Sequence, residues 1–297
     1  MKTVEAETRI QVKNVLFLTD FSPAASAAVP YARELAKRFG AQIHALHVRG
    51  PVVNPMTDPS TWAALEEASE TTKEVEIAKL RKSFAAMEPD ILVEEGALWS
   101  SLASVVEKKS IDVIVLGTRG RSGIGKFFLG SVAEEVFRRA PCPVMTIGPF
   151  ANADPSQPCE FKKILYATDF TNESAAAATY ATSLAQEFQA HLTLLHVVRE
   201  ARPGDLVNTA ELNESSMRLL RTIIPAGADL WCSPHFLVER GEPAEKILEV
   251  AKREQADLII LGVRRPGGFP GTATHLPIAT AHKVVSHAGC PVLTVRG

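Results

Sequence analysis

The sequence predicts an α/β protein built from two copies of one parallel-sheet unit, and three observations carry that prediction. Short, nearly continuous Val/Ile/Leu runs such as Val113–Leu116 alternate with helical stretches, the pattern of a parallel sheet covered on both faces. Four sequence blocks return in the same order at nearly constant spacing. A glycine-rich stretch, Gly117–Ser131, lies between a buried strand and an amphipathic helix, where open α/β sheets hold anions.

The blocks define the repeat. Asn14-Val-Leu-Phe-Leu-Thr-Asp20-Phe-Ser22 returns as Lys163-Ile-Leu-Tyr-Ala-Thr-Asp169-Phe-Thr171, and Ala45-Leu-His-Val48 returns as Leu194-Leu-His-Val197, both 149 residues on. Asp112-Val-Ile-Val-Leu-Gly117 returns as Asp257-Leu-Ile-Ile-Leu-Gly262 at 145, and Pro141-Cys-Pro-Val144 as Gly289-Cys-Pro-Val292 at 148. The expected domains are residues 1–150 and 151–297, joined by a proline-bearing linker from Gly148 to Phe161.

Each element has a local reason. In the first copy Val15–Thr19 reads as a strand. Ser22-Pro23 supplies an N-cap and a first-turn proline for a helix ending near Phe39, with Gly40 as its terminator. Ala41–Val48 is the second strand. A proline-rich loop leads to a long polar helix over about 61–87, whose alternating Glu and Lys over 66–82 read as a solvated face. Strands at 91–95, 112–116 and 144–147 follow, separated by a helix at 101–109 and one after Ser131. The second copy repeats this with strands at 163–168, 191–198, 235–239, 257–261 and 292–295. Its helices fall at 174–188, 209–223, 243–254 and 278–287.

Composition narrows the class. The chain has 297 residues, 46% hydrophobic and 22% charged, with net charge −2, so no basic field calls for nucleic acid or an anionic membrane. Four scattered cysteines without CxxC spacing suggest a reducing, cytoplasmic setting and no metal cluster. No apolar run reaches spanning length.

The glycine stretch admits two readings from its residues alone. It is a solvated βα loop, or it is a phosphate cradle in which glycines admit close backbone approach, Ser131 caps the helix or donates to a phosphate, and Arg119, Arg121 and Lys126 supply charge. Gly120-x4-Gly125-Lys126 fails as a P-loop because Phe127 stands where Ser or Thr must meet Mg²⁺. A GxGxxG fingerprint fails at Phe128.

Gly117-x2-Gly120-x9-Gly130-Ser131 resembles the ATP-binding signature of the universal stress protein family. The Leu-Thr-Asp-Phe-Ser opening, the His-Val ending the second strand and the Pro-Cys-Pro-Val strand are similar to it too. The resemblance covers both copies. It implies tandem Rossmann-like domains, akin to adenine nucleotide alpha hydrolases, each with a five-stranded parallel sheet in order 3-2-1-4-5. It also implies ATP, with or without Mg²⁺, at the switch point. Carried over residue by residue, Thr19 and Asp20 lie at the adenine and ribose end, and Val48 holds adenine through its backbone. Gly117, after Leu116, joins Arg119 and Gly120 at ribose and phosphates, and Gly130, Ser131 and Val132 bind phosphates. Asp20 also reads as a plain turn residue. His47 and His196 read as strand-end histidines. The resemblance further implies pairing of fifth-strand edges, giving an intramolecular pseudo-dimer and scope for a homodimer, with a protein partner that the sequence does not identify.

The second copy departs from the signature. Arg265 replaces Gly120, Ile278 and Ala279 stand opposite Gly130 and Ser131, and Pro266, Pro270 and Pro277 remove donors. Weak or absent ATP binding is expected there, with Thr168, Asp169 and Val197 retaining an adenine-type end. Arg264 and Arg265 have an alternative reading, in which they face the other copy's site instead. The expected function is a stress-response protein with ATP as a sensory or regulatory ligand in the first domain. The alternatives are a slow ATPase, disfavoured for want of a convincing general base, and a nucleotide-free interaction scaffold.

Overall fold

The computed structural model describes residues 9–50, 59–118, 129–151, 159–199, 209–224, 234–264 and 275–297. Within that set, side chains of 59–66, 209 and 275–278 are not described. Arg119, Gly120, Arg121, Lys126, Arg265, Pro266, Pro270, Cys232 and most of the linker lie outside it.

The first half runs β1 (Asn14–Thr19), α1 (Pro23–Phe39), β2 (Gln42–Arg49), α2 (Pro59–Ser83), β3 (Asp90–Glu95), α3 (Leu98–Lys108), β4 (Val113–Gly117), α4 (Ser131–Arg139) and β5 (Val144–Ile147). The second runs β6 (Lys163–Thr168), α5 (Asn172–Phe188), β7 (His191–Val198), α6 (Thr209–Ile223), β8 (His235–Arg240), α7 (Pro243–Glu254), β9 (Leu258–Val263), α8 (His275–His287) and β10 (Val292–Arg296). The helix starts follow local chemistry. Ser22 Oγ accepts from Ala25 N at the head of α1, and Gly40 closes that helix at φ 63°. Thr171 caps α5 in the same way.

One ten-stranded sheet results, in the order β3-β2-β1-β4-β5-β10-β9-β6-β7-β8. Each half is parallel and has the 3-2-1-4-5 order. The halves meet where β5 pairs antiparallel with β10, Val292 opposite Thr146 and Thr294 opposite Val144. Thr146 Oγ1 donates to the Val292 carbonyl and Thr294 Oγ1 to the Val144 carbonyl, each at 3.2 Å. This reciprocal pair gives the seam pseudo-two-fold character and covers two edges that would otherwise be exposed.

Two apolar layers sandwich the sheet, and both cross the seam. One holds α1, α2, α5 and α6 residues such as Ala32, Leu80, Ala181 and Leu220; the other holds Leu102, Val136, Ile247 and Val284 from α3, α4, α7 and α8. Phe161, 1% exposed, keys the halves together, stacking on Tyr31 at 6.0 Å and meeting Phe188 edge-on at 5.0 Å. The Arg38 guanidinium lies over the Phe188 ring, and Arg296 donates to the Phe137 carbonyl across the seam. Burial pushes the Cys142 and Cys290 thiols up to about 12, which suits inert core sulfur. No helix among the described residues is long and apolar enough to cross a membrane.

The expectation of a wholly solvated Glu/Lys face on α2 needs correction. Glu76 is buried, its carboxylate 3.6 Å from His47 Nε2 and 3.7 Å from Arg49 Nε, because two basic residues of β2 lie beneath it.

Because the core is continuous, Phe161→Ala is expected to cost about 3–5 kcal/mol, lost from both halves in one transition. Urea unfolding followed by circular dichroism checks this. An unchanged midpoint, or separate transitions for the two halves, would contradict it.

Candidate functional site

The crevice in each half follows from topology. In the first half α1 lies on one face of the sheet and α4 on the other, so the chain diverges between the carboxyl ends of β1 and β4. Open α/β sheets bind ligands at this switch point. Here a cleft of about 100 Å³ is lined by Thr19, Asp20, Val48, Leu116, Gly117, Gly130, Ser131 and Val132, with Leu18, Ala25, Leu98, Thr118 and Ala133. Eight of the ten residues expected at the site therefore converge, and Arg119 and Gly120 lie outside the described residues.

The β1 end is held by a rigid turn. Phe21 takes φ 60°, uncommon for a residue with a side chain. Its N–H donates to Thr19 Oγ1 at 3.0 Å, and its ring packs on His47 at 4.7 Å. His47 Nδ1–H donates to the Thr19 carbonyl at 2.8 Å, which fixes the proton on Nδ1 and leaves Nε2 facing Glu76. The expected strand-end role of His47 matches this geometry. Asp20 Oδ1 accepts from Ser22 N at 2.9 Å, so its turn role is real, while its side chain still lines the cleft.

The second half rebuilds the turn with different chemistry. Phe170 again has φ 60° and packs on His196, whose Nδ1–H donates to the Thr168 carbonyl at 2.8 Å. Burial holds the His196 ring below its ordinary value of 6.5. Ser174 stands where the first half has Ala25. Its hydroxyl donates to Asp169 Oδ1 at 2.5 Å, and Thr171 Oγ1 donates to the same oxygen at 2.6 Å. Burial would raise the Asp169 carboxyl, but these hydrogen bonds outweigh it and hold the group below its ordinary 3.8.

Gly117 has a packing duty that the sequence does not separate from a ligand duty. A Cβ there would sit 2.3 Å from the Ala24 carbonyl oxygen in the first turn of α1. Gly262 is equally constrained, 2.5 Å from the Glu173 carbonyl oxygen. This explains why the second copy keeps this glycine while losing others.

The β4 end differs from expectation in one respect. Gly130, not Ser131, is the N-cap of α4, with φ −60° and ψ 152° and no side-chain cap. Ser131 is the first helical residue, so the amides of Ser131, Val132 and Ala133 open the helix at the cleft. Thr118, which sequence reasoning did not single out, fastens both ends of the intervening loop. Its N–H donates to the Ile147 carbonyl at 3.0 Å, and its carbonyl accepts from Gly130 N at 2.7 Å.

The helix after β9 starts elsewhere. Ala133, Val136 and Ala140 match Ala281, Val284 and Ala288 in burial at a constant offset, which places Gly130 opposite Ile278 and Ser131 opposite Ala279. Yet α8 begins at His275. One extra turn thus runs through the point where α4 begins, and the amides of Ala279, Thr280 and Ala281 are spent on the preceding carbonyls. Arg264 lines its own half's cleft and lies 3.7 Å from Glu173, which corrects the alternative reading in which it faces the other copy. Trp99 packs under the Arg139 guanidinium at 4.2 Å.

A doubly wound sheet with a crevice at its switch point, present twice in one chain, defines the class. The comparisons give the family. The universal stress protein family model matches residues 11–148 and again 160–296, so the chain belongs to the universal stress protein family as a tandem member. A universal stress protein of Mycolicibacterium smegmatis is 28% identical over 298 residues, covering 95% of this chain and 96% of that protein. One from Methanocaldococcus jannaschii is 32% identical over 139 residues, 46% of this chain and 81% of its own length. Among solved structures, a universal stress protein from Archaeoglobus fulgidus shares the fold with TM-score 0.70 and 22% identity, covering 97% of this chain and 98% of that one.

If Gly117 and Gly262 are held by packing, Gly117→Ala and Gly262→Ala should each destabilise by about 1–3 kcal/mol or more. The effect should be similar in the two halves despite their different clefts. Thermal and urea unfolding measure it, and wild-type stability in either variant would contradict the packing argument.

Proposed function

We propose that the first half binds ATP at the β1/β4 crevice as a regulatory ligand in a stress response, and that the second half does not bind ATP. The observation that carries this reading is the start of α4. Its first-turn amides carry no side-chain cap and open onto a cleft whose far wall is Thr19, Asp20 and Val48. Free amides and the helix dipole favour phosphate oxygens, each charge-assisted hydrogen bond contributing about 1.5–3 kcal/mol. Val48, at the end of β2, offers backbone groups to a base edge, and Asp20 is placed for ribose hydroxyls. The chemistry of the lining therefore fits a nucleotide along its length. Arg119 and Gly120, outside the described residues, belong to this reading through the resemblance to the family's signature.

Binding without turnover is the reading the lining supports. Asp20 is the carboxylate that lines the described part of the cleft, and it is engaged with the Ser22 amide at the β1 end. A water activated there would stand away from the phosphates.

Gly130→Val is the decisive variant. The Gly130 backbone angles are ordinary for an extended residue, so valine brings no backbone strain at a position that lines the cleft. ATP should bind the wild-type chain saturably and raise its Tm by mass action. The variant should keep wild-type stability without ligand and lose at least about tenfold in affinity. Equal ATP affinity in the two proteins, measured by calorimetry, would contradict the site.

A further inference from the structure

The switch-point crevices use the carboxyl ends of the strands, but the amino ends also differ between the halves. In the first half this end of the sheet is filled. His44 and Ile111 are buried there. The His44 ring lies between Asn14 Oδ1 at 3.1 Å and Asp90 Oδ2 at 2.9 Å, and Lys109 Nζ reaches the same Asp90 oxygen at 2.8 Å.

The second half changes each of these residues. Strand register puts Lys163, His191, Thr193 and His235 in the places of Asn14, Gln42, His44 and Asp90. Counting back from the matched Asp112 and Asp257 puts Glu254 and Ala256 in the places of Lys109 and Ile111. Threonine for histidine and alanine for isoleucine remove volume. Lysine and two histidines in place of Asn, Gln and Asp turn a neutral and acidic strand face basic. A cleft of about 220 Å³ opens at the amino ends of β6, β7 and β8, against the end of α7. That exceeds the roughly 150 Å³ that accommodates benzene in an apolar protein cavity.

The groups around this cleft select its ligand. Leu165, Thr193 and His235 stand side by side on three neighbouring strands, with Lys163 and His191 one row nearer the strand starts. Thr193 is only 8% exposed, yet its hydroxyl has no hydrogen-bond partner among the described residues. The same holds for the His191 and His235 rings, each of which carries an N–H donor in either tautomer. Lys163 Nζ meets only the neutral Gln255 Oε1, at 3.0 Å. Glu254 is the carboxylate in the lining, and its Oε1 accepts from Arg253 Nε at 3.1 Å. Leu165 and Ala256 give an apolar floor. Among the described residues no three His, Cys, Asp or Glu side chains are placed to hold a metal ion. Unpartnered donors and a lysine charge over an apolar floor fit an organic anion.

We infer that this cleft is a binding site for a small organic acid, whose carboxylate takes donors from the Lys163, His191 and His235 side and whose apolar body lies on Leu165 and Ala256. The inference does not rest on the ATP reading, since the site lies at the opposite end of the strands.

The test is titration of the full chain with benzoate, and with neutral benzamide of the same shape, followed by amide NMR spectra. Benzoate should shift the amides of Thr193, His235 and Ala256 saturably, with Kd about millimolar or tighter. Benzamide should bind at least about tenfold more weakly. His235→Asp and Ala256→Ile restore the first half's residues and should each weaken benzoate about tenfold or more. His235 is exposed, so its variant tests the site even if Ala256→Ile fails to fold. No saturable shift at these amides, shifts confined to the Thr19 or Thr168 crevices, benzamide as tight as benzoate, or wild-type benzoate affinity in His235→Asp would each overturn the inference.

Discussion

The antiparallel pairing of β5 with β10 is the constraint on which the rest of the molecule depends. A five-stranded parallel unit ends on a strand whose outer N–H and C=O groups need partners. Here the second copy supplies them, and Thr146 and Thr294 add reciprocal side-chain bonds to the same ladder. Once the edges are joined, the two apolar layers become continuous, and Phe161 can sit between α1 and α5 with almost no exposure. The switch-point clefts then lie away from the seam, one in each half. Each is free to change its chemistry without disturbing the contact that holds the chain together.

That freedom has been used. Both halves keep the strained Phe turn, the histidine bonded to the strand-end carbonyl, and the glycine pressed against a helix backbone. These features build the crevice itself. What differs is where the following helix begins. In the first half α4 starts at Ser131, and its first-turn amides have no partner among the described residues; in the second α8 starts one turn earlier and buries the corresponding amides in its own ladder. The same topology thus gives two crevices whose linings differ, the second of them larger and lined by two arginines.

Much of this was legible in the sequence, for identifiable reasons. Val/Ile/Leu runs of strand length can be buried only in a covered sheet, and the duplicated blocks locate the strands twice over. The cleft residues were legible through the resemblance to the family's signature, and Thr19, Asp20, Val48, Gly130 and Ser131 all fall at carboxyl ends of strands or at a helix start. Three features were not legible. Gly117 looks the same whether a phosphate or a helix backbone approaches it, and only the 2.3 Å clash with Ala24 separates the two. Pro277 reads as a lost donor, yet in the first turn of α8 its missing N–H has no intrahelical partner to lose. Glu76 reads as a surface charge on a polar helix, because the His47 and Arg49 beneath it belong to a strand some 30 residues earlier.

The central claim is that one chain holds one ATP, in the first half. Equilibrium dialysis of purified full-length chain against ATP measures this directly. The account predicts saturation at one ATP per chain. Saturation at two equivalent ATP per chain, or no saturable binding, would contradict it.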